Sequence, residues 1–142
     1  MKHRIQIPAN KQMEILGRTT AIRNQQEAGE TMDYPTFVDT LFKDMDRPYA
    51  SLHHAATGFA GESGEVLDLT KKSWVYDKDL DIEHLIEELG DHRYYYQQIL
   101  NQLGITDEDV IAHNIVKLTK RFPGVVFTKE AAINRADKDH GQ

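Results

Sequence analysis

At 142 residues the chain is sized for one domain with a real core, and 39% hydrophobic against 28% charged residues is ordinary globular composition. A net charge of −6 argues against a nucleic-acid polymer as the main partner, since that would call for a concentrated basic face. The absence of cysteine excludes disulfides and thiolate metal sites, and no apolar run is long enough to span a bilayer. The basic segment Met1–Pro8 has no apolar stretch behind it, so the expectation is a cytoplasmic protein with no membrane attachment.

Helical periodicity organises the chain. From Ala9 to about Gln26 good helix formers carry a thin stripe of Met13, Leu16 and Ile22, with Pro8 near the start and Gly29 at the end. This stripe is too sparse for a major core element, so residues 1–32 are read as an accessory helix or arm that packs on a neighbouring subunit. Tyr34 to Met45 repeats Phe37, Val38, Leu41, Phe42 and Met45 at helical spacing, with Asp33 or Thr36 as N-cap, and Pro48 breaks the pattern. A long helix is expected from Tyr49 to Val75, with glycines at 58, 61 and 64 and with Lys71 and Lys72 closing it. The glycines suit close helix packing and ligand clearance alike.

A third strong helix is predicted over Asp81 to Leu103, capped by Asp79 or Asp81 and ended by Gly104. Projected at 100° per residue, His84, Glu88, Asp91 and Tyr95 share one side, Leu85, Leu89, Tyr96 and Ile99 face the core, and His92 falls between them. Thr106 opens a further helix on which Ile111, Ile115 and Leu118 turn inward and Asn114, Lys117 and Arg121 share a face. Two cations and an amide on one stripe suit phosphate oxygens, although a solvated basic stripe is the commoner explanation. Pro123-Gly124 ends that helix, and residues 136–142 form a loose tail. With no strand-like alternation and no glycine-rich phosphate loop, the fold class is all-α, a bundle of four or five helices.

Two acidic pairs give the chain its chemistry. Glu62 with Glu65, and Glu88 with Asp91, are each spaced i, i+3, which puts both carboxylates of a pair on one helix face. Among 23 acidic residues such a pair arises by chance roughly four times, so spacing alone is weak. The small, apolar flanks of the first pair distinguish it, because an exposed face would be rich in lysine. Facing helices that carry such pairs can build an oxygen cage for Mg2+ or Mn2+, a hard cation suited to work on phosphates.

Three segments carry a family resemblance: His54-Ala-Ala-Thr-Gly-Phe-Ala-Gly-Glu-Ser-Gly-Glu-Val-Leu-Asp68, Glu87-Glu-Leu-Gly-Asp91 and Asn114-Ile-Val-Lys-Leu-Thr-Lys-Arg-Phe-Pro123. In this order they resemble the MazG-like branch of the all-α nucleoside triphosphate pyrophosphohydrolases, over a domain of residues 33–135. The resemblance implies that Glu62, Glu65, Glu88 and Asp91 bind Mg2+ and catalyse release of pyrophosphate from a nucleotide, Glu62 or Glu65 serving as base. It further implies that Asn114, Lys117 and Arg121 contact phosphates or sugar, that Lys72 matches a lysine of the family, and that the chain forms a homodimer or homotetramer. The sequence departs from the pattern at His92-Arg93-Tyr94-Tyr95-Tyr96, where apolar residues are usual; His92 is taken as a substrate contact. The expected function is Mg2+-dependent hydrolysis of nucleoside triphosphates in pool control or house-cleaning. The alternatives are another pyrophosphate-bearing nucleotide, such as phosphoribosyl-ATP or an alarmone, and a non-catalytic metal- or nucleotide-binding regulator.

Overall fold

The computed structural model describes residues 5–29, 31–47 and 49–138. Pro48, the first four residues of the basic N-terminal segment and the last four of the predicted tail lie outside these. Among the described residues there are six α-helices, a short 3-10 turn and no strand, so the all-α class holds. The chain divides after Gln102 into two compact units.

In the first unit, α1 (Ala9–Glu27) begins directly after Pro8 and is followed by Gly29 in the left-handed region at φ 71°. Its apolar stripe stays exposed. Charge holds α1 instead: Lys11 Nζ and Arg18 Nη1 donate to the two carboxylate oxygens of Glu83, at 2.8 and 3.4 Å, and both cations also pair with Glu14.

The next helix, α2 (Tyr34–Leu41), is capped by Asp33, which accepts the Thr36 N–H at 2.9 Å. It is shorter than its periodicity predicts, since Phe42 is already extended. There the Phe42 ring turns onto His54 (4.8 Å) and Tyr94 (6.5 Å). Beyond it the Asp44 carboxylate accepts from both the Met45 N–H and the Ser51 hydroxyl, a local arrangement that competes with helix.

The long helix α3 (Ala50–Tyr76) and its successor α4 (Ile82–Leu103) match their predicted spans within a residue or so. Lys71 and Lys72 do not close α3, which runs one turn further through Ser73–Tyr76 to Asp77 at φ 51°. At the start of α4, Asp81 accepts the His84 N–H at 3.1 Å. Aromatic rings join the two helices: Phe59 lies 4.0 Å from His92 and 6.1 Å from Tyr96, and His54 lies 6.3 Å from Tyr95. Gly58 makes the closest approach, where an added Cβ would sit 2.3 Å from the Tyr95 ring. The same atom at Gly61 or Gly64 would meet nothing within 4 Å. Packing therefore explains one of the three glycines.

The buried face of α4 differs from its projection. Leu89 is 49% exposed, whereas Gln97 and Gln98 are buried beside Leu100. The amides are accommodated by pairing: Gln97 donates to Asn101 at 3.0 Å, and Asn101 donates to the Pro35 carbonyl of α2 at 2.9 Å. The described apolar core is small, comprising Val38, Ala55, Leu69 and Leu100.

The second unit contains α5 (Asp107–Arg121), the 3-10 turn Pro123–Val125 and α6 (Lys129–Asn134). Thr106 and Asp109 form a reciprocal capping box, and Thr128 caps α6. Ile111, Ile115 and Leu118, predicted to face a core, are exposed at 52%, 58% and 39%. Ile115 and Leu118 line an apolar groove of about 350 Å³ with Thr119, Phe122, Val125 and Phe127, because a helix and two short elements are too few to cover that stripe.

The glycines separate experimentally. Gly61→Ala and Gly64→Ala should each stabilise the protein in urea unfolding by about 1 kcal/mol through helix propensity. Gly58→Ala should fall about 2 kcal/mol below them, because overpacking against Tyr95 outweighs the same gain.

Candidate metal centre

The site is assembled from one turn of α3 and one turn of α4. Glu62, Glu88 and Asp91 each offer a carboxylate oxygen, and the three oxygens lie within 4.8 Å of one another. Glu88 is buried, Glu62 partly covered and Asp91 exposed, so the cluster grades from the helix interface outward. Of the four predicted ligands these three converge. Glu65 is not in the group; it is exposed on the next turn of α3.

Crowding like charges has an electrostatic cost, and Glu62 carries it. Its carboxyl is raised above its ordinary value, first by desolvation, then by the charges of Asp91 and Glu88, a hydrogen bond with Glu88 and the charge of Glu65. Glu88 is held from its other flank by His84, whose Nε2 lies 2.8 Å from Oε1. The sequence reading put His84 on the acidic side of α4 and gave it no role; the i, i+4 spacing was the available signal.

The donor set fits a hard divalent cation. It is all oxygen, it is drawn from two facing helices, and its separations suit an ion with ligands at about 2.0–2.5 Å after small side-chain rotations. A bound cation would also relieve the repulsion that raises Glu62.

Three of the remaining candidates, His92, Lys72 and Arg121, have intramolecular partners. His92 stacks on Phe59, within the α3–α4 interface. Next to it the Arg93 guanidinium lies 4.9 Å from the Tyr96 ring centroid and donates to Gln97 at 3.4 Å, so the unusual His92–Tyr96 run contributes to internal packing. Burial raises the Tyr34 hydroxyl above its ordinary value, with smaller opposing effects from the charges of Arg93 and Asp91. Lys72 pairs with Asp68 at 2.7 Å, and that carboxylate holds its ammonium above the usual value. In the second unit Asn114 and Lys117 are exposed on α5. Arg121 grips Asp137 through two hydrogen bonds, Nε to Oδ1 at 2.5 Å and Nη2 to Oδ2 at 2.6 Å, which holds Asp137 far below the carboxylate range.

The sign of the Glu62 shift gives a stability test. A carboxyl raised in the folded state binds its proton more tightly there than in the unfolded chain. Stability of the metal-free protein therefore falls as pH rises from the ordinary Glu value through the raised one. Glu62→Gln should flatten the decline of the metal-free melting temperature as pH rises above the ordinary Glu value, and raise that temperature where Glu62 is ionised. It should also shrink the rise in melting temperature that Mg2+ or Mn2+ gives the native sequence.

No helix among the described residues is long and apolar enough to cross a membrane. No curated protein and no solved structure matches the chain. The family model of the MazG nucleotide pyrophosphohydrolase domain matches residues 51–126, just over half of the sequence, and takes in α3, α4 and the whole of α5. The chain belongs to the MazG nucleotide pyrophosphohydrolase domain family.

Proposed function

We propose that this protein hydrolyses nucleoside triphosphates to the monophosphate and pyrophosphate, using Mg2+ or Mn2+ held by Glu62, Glu65, Glu88 and Asp91. The observation that carries the reading is the convergence of Glu62, Glu88 and Asp91 from two helices in a chain of this family. When bound, the cation neutralises phosphate charge and lowers the pKa of the attacking water. Glu62 or Glu65, in place of binding the metal, takes the proton of that water. His92, Lys72, Asn114, Lys117 and Arg121 are assigned to the phosphates and sugar, the cations stabilising charge on the departing pyrophosphate.

We assign residues 33–135 to the catalytic domain and 1–32 to an accessory arm, in a cytoplasmic homodimer or homotetramer. The apolar side chains left exposed on α3, among them Leu67 at 67% and Trp74 at 87%, support self-association.

The test is pyrophosphate release from a panel of ribo- and deoxynucleoside triphosphates with and without Mg2+. Metal-dependent release that falls by about a hundredfold or more in Glu88→Gln and in Glu65→Gln is the expected outcome. If no triphosphate is cleaved by folded, metal-loaded protein, the reading fails. Cleavage of phosphoribosyl-ATP or an alarmone would then point to a different pyrophosphate nucleotide, and binding without turnover to a regulator.

A further inference from the structure

We infer that His84 is a positioning residue for the metal centre: its imidazole Nε2, 2.8 Å from Oε1 of Glu88, restrains that carboxylate beside Glu62 and Asp91. The inference rests on the divalent-metal reading of the site and concerns a residue outside the acidic motifs.

A chain of contacts supports it. Asp81 accepts the backbone N–H of His84 at 3.1 Å, which fixes the first turn of α4. One turn on, the His84 imidazole reaches Glu88 Oε1 at 2.8 Å. Glu88 is the buried member of the acidic group, with its side chain 12% exposed, while His84 is 47% exposed. A carboxylate oxygen of Glu88 also lies within 4.8 Å of oxygens of Glu62 and Asp91. The Glu88 carboxylate thus lies between the His84 imidazole and the other two acids. Groups that hold a metal-ligating carboxylate restrict its orientation, and their loss typically weakens metal binding by about 10–100-fold.

An ordinary i, i+4 pair on a helix surface would support the helix and leave metal affinity untouched. Titration of the full chain with Mn2+ alone, without nucleotide, separates the two, reading free Mn2+ by electron paramagnetic resonance in the native sequence, His84→Ala, His84→Gln and Glu88→Gln. Metal-free melting temperatures provide the check on folding, and the half-exposed position of His84 suits it to substitution. His84→Ala should weaken Mn2+ binding about tenfold, and His84→Gln, whose amide can still donate, should recover most of the loss. Native affinity in His84→Ala, with binding lost in Glu88→Gln, overturns the role of His84 and leaves the metal centre standing. Equal weakening in the Ala and Gln variants overturns it as well, since a polar contact to Glu88 would then not be the cause. Equal Mn2+ binding by the native sequence and Glu88→Gln overturns the metal centre itself, and the inference with it.

Discussion

Three carboxylates that would repel one another in water are brought within 4.8 Å by the packing of α3 against α4, and the architecture of the first unit follows from that constraint. The force that closes the pair is supplied elsewhere along the same two helices. Toward the N-terminal half of α3, Phe59 meets His92 and Tyr96, and Gly58 lets the Tyr95 ring approach almost to the backbone. Apolar and aromatic contact thus holds the acidic turns in opposition, and a cation that neutralised them would tighten the same interface.

The environment around the cluster is asymmetric. Glu88 sits inward with His84 on one side and Glu62 on the other, while Asp91 faces solvent near Tyr34 and Arg93. A buried acid whose neighbours are fixed changes geometry little on binding, whereas an exposed one adapts. Such a site combines a rigid anchor with a mobile ligand, which suits an ion that keeps part of its water shell.

Much of this was legible in the sequence, for identifiable reasons. The i, i+3 spacing of Glu88 and Asp91 and the helix caps at Asp33, Asp81 and Thr106 are local properties, and local rules located them. The convergence of Glu62 with the second pair depends on how two helices face each other, and the family motif supplied what periodicity could not. Leu89, Ile111 and Ile115 went astray because an apolar residue at helical spacing indicates a face without saying what covers it. The early end of α2 was hidden because Phe42 keeps its apolar partners, His54 and Tyr94, while leaving the helix. Gln97 and Gln98 were unreadable as core, since a buried amide depends on partners that lie close only after folding.

Those amides have a consequence for alignment. A purely apolar seam between α2 and α4 would tolerate a slip of one helical turn at little expense, since one leucine can replace another as a neighbour. A seam that includes the Asn101 bond to the Pro35 carbonyl has one preferred setting, because a slip gives up that directional bond. Directional bonds thereby act as a vernier for the helix that starts at Tyr34, fixing how far along α4 that tyrosine comes to rest and, with it, the distance to Asp91.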